Sequence, residues 1–365
     1  MDFSSYPDDE VVPVRAGTLR FRALAEVLPN AWFSGAVFVF FLSTWACALV
    51  IGVSFIPFLT EYGERLVRSL VLIASIATVG LALKALFDAG PRSVTETLIV
   101  TARSAAGSRF LIRYVSASLL LTVFMAAFLF NKMQIPRIAG FRWDVAFAAL
   151  DYRLFGEHPW VLLQPLLGYP IVTAILDVLY AAWALLVFLF WGGLFASRRI
   201  DDAVCYHFWI ATVACWILLG LGMAMALGSA GPTYFDEIAP QLVSPYQELE
   251  RYLAAASRHY TLMSSFTKDY LWAIHSGELV APGGISAMPS MHNAQATLYA
   301  AAAYSINRRF GHVMFAYAVA IFLGSIHLGW HYAVDGIIGA LGALLIWLAV
   351  GALIRRRGRG SARAA

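Results

Sequence analysis

The sequence predicts an all-α fold, a polytopic membrane helical bundle of about eight spans, on three observations. Of 365 residues, 60% are hydrophobic and only 13% charged, and the mean hydropathy is +0.71. A soluble domain carries roughly twice that charged share. The apolar residues fall into stretches long enough for a hydrocarbon core of about 30 Å. The basic residues cluster in short runs between those stretches, as topology signals do. A net charge of +4 so distributed gives no nucleic-acid patch, and 14% aromatics with 11 tryptophans suit interfacial belts.

Residues 1–31 form a polar segment, with Asp8, Asp9, Glu10, Arg15, Arg20 and Arg22, and no apolar core begins before Trp32. That is unlike a cleaved signal peptide, and the segment is expected to be cytoplasmic. Spans are expected at Trp32–Phe58, Leu66–Phe87, Tyr114–Phe130, Ile171–Ala196, Ala203–Gly228, Met291–Ile306, Val313–Ser325 and Ala333–Ile354. The first two fall in residues 32–110, ahead of a six-span unit over 111–354, and residues 355–365 form a basic cytoplasmic tail. The sixth and seventh are short and are extended by polar residues at the membrane surface.

Eight spans put both termini on one side. With the termini cytoplasmic, the inner segments hold 17 of the 26 basic residues, including Lys84, Arg92, Arg103, Arg109, Arg113, Arg198, Arg199, Arg308, Arg309 and the tail arginines. Short loops dominate this bias, and Ser197–Asp202 and Asn307–His312 are short. The topology expected is that of a bacterial inner-membrane protein, with two long outer loops, 131–169 and 229–290, facing the periplasm or exterior. The first contains FRWDVAFAALDYRLFGEHPW, read as a helix in the interface. The second opens with SAGPTYFDEI, continues through an amphipathic helix around Gln241–Ile274 and ends in APGGISAMP. It is placed to cap a surface site.

Cys47, Cys205 and Cys215 all lie in apolar runs without metal-ligand spacing and read as small buried hydrophobes. The chemistry-bearing residues lie in two segments that the topology puts on the same outer face. Ser286-Ala-Met-Pro-Ser-Met-His292 precedes the sixth span. Pro289 and Ser290 form a helix start, with Ser290 as N-cap and the amides of Met291, His292 and Asn293 available to an anion. In the second segment His327, His331 and Asp335 recur every four residues, so a helix there puts all three on one face. Asp335 can fix the tautomer of His331 and raise its basicity. A carboxylate within a span is costly and marks a functional site.

SAMPSMH followed by HYAVDGIIG resembles the type 2 phosphatidic acid phosphatase superfamily, and within it the inositol phosphorylceramide synthase-like branch, whose motifs read close to SMPSxH and HYxxDxxxG. The resemblance covers roughly Ile171–Ile354. It implies a six-helix catalytic core, a lipid phosphate or phospholipid as substrate, and no cofactor or metal. By position it implies that His331 is the nucleophile that takes the phosphoryl group, that Asp335 orients it, and that His292 protonates the leaving oxygen. The K-x6-R-P motif of the superfamily's phosphatases is absent, and the arginine position six before His331 holds Ser325. The anion cradle therefore needs other groups. Arg251, Arg258, Lys268, Lys132 and Arg137 are candidates, with His327 as a partial substitute and Tyr234 of GPTYF near substrate.

Two other readings stay open on residues alone. His292, His327, His331 and Asp335 suit a zinc ion and a metal-dependent hydrolase. A non-enzymatic lipid transporter or scaffold is the other, although transporters place polar groups nearer the midplane than this chain does, where Asp177 and Lys84 are the nearest. Asp177 is read as structural. The lipid, the acceptor and the oligomeric state are not specified by the sequence.

Overall fold

Among the described residues, which are 29–89, 105–197 and 199–364 of a computed structural model, every regular element is helical and none is a strand. The expected N-terminal segment up to residue 28, and Arg92, Arg103 and Arg198 of the charge argument, lie outside them. Helix α1 (Ala31–Val50) starts where the Asn30 side chain accepts from the amides of Trp32 and Phe33. The sequence expects this span to reach Phe58. It stops at Val50 because the chain turns at Gly52, whose φ of +70° suits glycine, and α2 (Ile56–Ala89) follows.

Helix α3 (Ala105–Ala139) outruns its expected end at Phe130 by more than two turns. The polar residues that follow Phe130 read as a loop, but they point inward. Asn131 Nδ2 donates to Thr44 Oγ1 of α1 and to the Ala127 carbonyl, both at 2.9 Å. The interfacial segment forms two helices, α4 (Asp144–Phe155) and α5 (Pro159–Leu167), separated at Gly156 with φ +77°. Then come α6 (Pro170–Ala196) and α7 (Asp202–Ile217), which runs on through a π-helical turn at Leu218–Met223. The helix expected over Gln241–Ile274 is instead α8 (Gln247–Ala256) and α9 (Met263–Ser276). Asp177 of α6 starts α9, accepting from the amides of Met263 at 2.6 Å and Ser264 at 2.9 Å. The last three helices are α10 (Met291–Ile306), α11 (Arg308–His327) and α12 (Ala333–Ala364).

Among the described residues six helices are long and apolar enough to cross a membrane: α1, α3, α6, α7 with its extension, α11 and α12. The other two expected spans fall in α2 and α10. Helix α10 has only 16 residues, and it lies against α6, α7, α11 and α12. Ala294, Ala296, Ala302 and Ala303 are fully buried, and small residues of this kind let helix backbones approach closely. A helix enclosed by protein need not match the bilayer thickness, which accounts for its length. Helices α1 and α2 lean on α3 from outside this group.

Candidate active site

The α11–α12 corner is the centre of the site. Helix α11 ends at His327, the chain turns through Gly329 at φ +75°, and α12 begins at Ala333. His327, His331 and Asp335 are therefore not three positions on one helix face, because the intervening turn breaks the period. The turn is held by the Ser325 carbonyl, which accepts from the amides of Trp330 and His331, each at 3.0 Å. His331 does meet Asp335, with Nδ1 3.3 Å from Oδ2, and the same carboxyl oxygen accepts from the Tyr332 amide at 3.1 Å. His327 is directed elsewhere. Its Nε2 lies 2.9 Å from Thr173 Oγ1, which also bonds the Tyr252 hydroxyl at 2.6 Å, so the imidazole ties α11 to α6 and α8.

The second histidine comes from the first turn of α10. Ser290 is the N-cap, and its Oγ accepts from the Asn293 amide at 3.4 Å and from Asn293 Nδ2 at 3.0 Å. This corrects one expectation: the cap occupies the Asn293 amide, and only those of Met291 and His292 remain for an anion. The Asn293 side chain also donates to Ser325 Oγ at 3.2 Å, so the residue at the superfamily's arginine position serves here to link α10 to α11. The start of α10 and the first turns of α12 touch through main chain. The Ser290 amide donates to the Asp335 carbonyl at 3.0 Å, and a Cβ at Gly339 would sit 2.4 Å from the Ser290 carbonyl oxygen. This contact brings the His292 and His331 rings to 6.0 Å between centroids. His292 also lies against two rings of α6, Tyr180 at 4.2 Å and Trp183 at 4.4 Å.

Lys132 supplies a cation. It is half-buried on the inner side of α3, interacts electrostatically with both His292 and His331, and has no ion pair or hydrogen-bond partner among the described residues. The Gly283-Gly284 segment packs on the backbone beside it, and a Cβ at Gly284 would come within 3.1 Å of Met133 Cα. Burial first, and the Lys132 ammonium second, push the His331 imidazole down to about 3, against a smaller opposing effect of the Ala287 carbonyl. At neutral pH it is therefore unprotonated, the form in which an imidazole nitrogen is nucleophilic.

Two further carboxylates shape the corner, and sequence reasoning missed both. Asp144 of α4 accepts from the amides of Ala230 at 3.1 Å and Gly231 at 2.8 Å and from the Tyr332 hydroxyl at 3.0 Å. Gly231, at φ +102°, allows this: a Cβ there would lie 2.5 Å from the Trp330 carbonyl oxygen. Asp151, two turns further on, accepts from the amides of Ala333 at 2.7 Å and Val334 at 3.0 Å and thereby caps α12. Both are buried and have no ion pair among the described residues, and burial raises both above the ordinary carboxyl range, Asp151 to about 6 with a further contribution from Asp335. A sequence signal exists: two acids seven residues apart share the apolar stripe that holds Phe147 and Ala148.

The remaining candidates lie away from this centre. Tyr234 is buried against Trp272 and donates to the Lys268 carbonyl at 3.0 Å. Lys268 Nζ pairs with Glu250 at 2.7 Å, and Arg251 pairs with Glu248. Arg258 and Arg137 are exposed. Met291 is half-buried at the start of α10, with its sulfur against Gly220. Two cavities open elsewhere on the surface. One of about 480 Å³ is lined by Arg142, Trp143 and Gly228, and one of about 70 Å³ by Arg137, His275 and Gly284, and neither includes His292 or His331.

Fold and site together define a multi-pass membrane protein with a His–Asp pair, a second histidine and a lysine gathered at one end of its bundle. A model of the PAP2 superfamily matches residues 145–349, more than half of the chain, and the chain belongs to that superfamily, a group of phosphatases and phosphotransferases. The match includes His292, His331 and Asp335 and leaves α1, α2 and Lys132 outside it. No curated protein and no solved structure matches the chain.

Proposed function

We propose that the chain is an integral-membrane lipid phosphotransferase or phosphatase that works through a phosphohistidine. The observation that carries the reading is the His331–Asp335 hydrogen bond facing His292 across 6.0 Å, with Lys132 in electrostatic reach of both histidines. Asp335 engages Nδ1 of His331, which leaves Nε2 to attack phosphorus. As the N–P bond forms, the bond from phosphorus to the leaving oxygen breaks, and His292 gives that oxygen its proton. Water or an alcohol then attacks the phosphohistidine, returns a proton to His292 and frees Nε2. Lys132 and the free amides of α10 offset charge on the phosphoryl oxygens.

SAMPSMH and HYAVDGIIG favour the inositol phosphorylceramide synthase-like branch, with a phospholipid donor. The arginine bias favours an inner membrane, cytoplasmic termini and a site at the outer face. The metal-dependent alternative needs His327 beside His331, but His327 is held by Thr173, and no three His, Cys, Asp or Glu side chains among the described residues converge as a metal site.

The test is turnover by purified protein in detergent. Wild type and His331→Ala receive radiolabelled lipid phosphates and phosphodiesters, with and without alcohol acceptors. Label released as phosphate identifies a phosphatase, and label moved onto an acceptor identifies a transferase. Each must vanish in the folded variant. Activity that survives in His331→Ala removes that residue as nucleophile, and no label movement in wild type removes the proposal.

A further inference from the structure

Buried polar groups in a folded protein almost always find a partner, and those that do not mark a place where something else binds. The tryptophans and tyrosines packed around this bundle mostly obey the rule. Trp191 donates to the Ala117 carbonyl, Trp209 to the Trp191 carbonyl and Trp216 to Gln295 Oε1. Tyr317 donates to the Leu179 carbonyl and Tyr332 to Asp144. Tyr180 and Trp183 do not. The Tyr180 hydroxyl and the Trp183 indole Nε1 are buried and have no hydrogen-bond partner among the described residues, although the two side chains are only 8% and 9% exposed. Ten other buried side-chain atoms share that state among the described residues, those of Tyr299, Tyr246 and Trp330 included, but these two are set apart by position. One turn apart on α6, they are the two rings that lie against His292. The Tyr180 hydroxyl is buried rather than exposed to lipid, and it interacts electrostatically with Tyr317 and, less strongly, with the Asp335 carboxyl.

Apart from Lys132 and the two free amides of α10, no donor has yet been assigned to the phosphoryl oxygens. A transferring phosphoryl group spreads charge over three equatorial oxygens, and neutralising that charge is most of what a protein contributes to the reaction. Ser325 stands where the superfamily's phosphatases have arginine, and its hydroxyl is engaged with Asn293 and the Phe322 carbonyl. Of the outer-loop cations, Lys268 is paired with Glu250 and Arg258 is exposed. Among the described residues Lys132 is the cation in electrostatic reach of the histidines, and it supplies one point charge rather than a fork of donors.

We propose that Tyr180 and Trp183 supply further donors, with the tyrosine O–H and the indole N–H directed at the oxygens of the phosphoryl group held between His292 and His331. This rests on the phosphoryl-transfer reading above. The two groups are neutral, so they bring directionality without charge, and the rings that carry them also fix the plane of the His292 imidazole. Donation to oxygens on which charge builds in the transition state is a catalytic contribution, and its loss appears in kcat and kcat/KM together.

Tyr180→Phe and Trp183→Phe keep an aromatic ring against His292 and remove the donor. Each is purified as the full chain and assayed with the radiolabelled phospholipid that wild type turns over. The expected result is a fall in kcat/KM of about 10–100-fold, the size of a hydrogen bond to a charged group. The second readout is thermal stability. Because the Tyr180 hydroxyl has no partner in the folded chain, its removal leaves the melting temperature unchanged or raises it. Wild-type kcat/KM in both variants overturns the donor role while the proposed function stands. So does a lowered melting temperature in Tyr180→Phe, since that reveals a structural partner for the hydroxyl. If wild type turns over no phospholipid at all, the reading of function fails, and this inference falls with it.

Discussion

Asp151→Asn is a sensitive probe of how the catalytic corner is held. The wild-type carboxyl accepts from the amides of Ala333 and Val334 at 2.7 and 3.0 Å, the first two of α12, which lie between His331 and Asp335 in the chain. Burial lifts its pKa from an ordinary 3.8 to about 6. A carboxyl whose pKa is raised on folding is held in its protonated form, so its favourable contribution is complete below the unfolded value and is lost as pH rises through the folded value. The shift from 3.8 to about 6, at about 1.4 kcal/mol per unit, corresponds to at most about 3 kcal/mol. The stability of wild type relative to Asp151→Asn should therefore fall between about pH 4 and pH 6 and level off above it, because asparagine does not titrate there. Thermal melts of both proteins in detergent across that range measure the difference. A flat difference, or one that grows with pH, refutes the upward shift, because it would mean that the amides of Ala333 and Val334 offset or outweigh burial.

The other expectations concern the contact between helices and the cation. In Gly339→Ala the new Cβ would lie 2.4 Å from the Ser290 carbonyl oxygen, so α12 must move away from α10; overpacking of this kind costs about 1–3 kcal/mol, and turnover should fall with the melting temperature. Equal turnover in this variant would show that the histidine spacing has slack. Lys132→Met should lower kcat/KM by about 10–100-fold. It should also raise the His331 pKa from about 3, because Lys132 is the second cause holding that value down, and this moves the acid limb of the pH–rate profile toward neutrality. An unmoved acid limb would place Lys132 outside the site.

Much of this was legible in the sequence, for reasons that differ by residue. Hydropathy marks the spans because lipid imposes it, and the two motifs mark His292, His331 and Asp335 because each sits beside a turn signal, Pro289 and Gly329. Boundaries failed where polar side chains continue a helix inward. Asn131 and Lys132 look like a loop in the sequence and lie on α3, since Asn131 bonds Thr44 across to α1. His327 kept the period of four but not the direction, because Gly329 ends the helix between it and His331. Asp144 and Asp151 could not be paired from sequence, since their partners lie 86 to 188 residues away and, apart from the Tyr332 hydroxyl, are backbone amides, which every residue type but proline carries. Tyr180 and Trp183 read as ordinary apolar positions of a span, and only the missing partners on their polar atoms set them apart.

The contact between Gly339 and Ser290 divides the protein's working parts into two sets that can change independently. Main chain against main chain sets how closely α10 and α12 approach, and the one α12 side chain that holds His331, Asp335, sits in the first turn of that helix. Leu341, Leu345 and Leu348, a few residues along the same helix, are exposed on its outer surface. Those positions can be rewritten to suit thicker or thinner bilayers, or different acyl chains, without disturbing the alignment of acid and nucleophile. A redesign of this bundle for another membrane would begin with those leucines and leave the glycine alone.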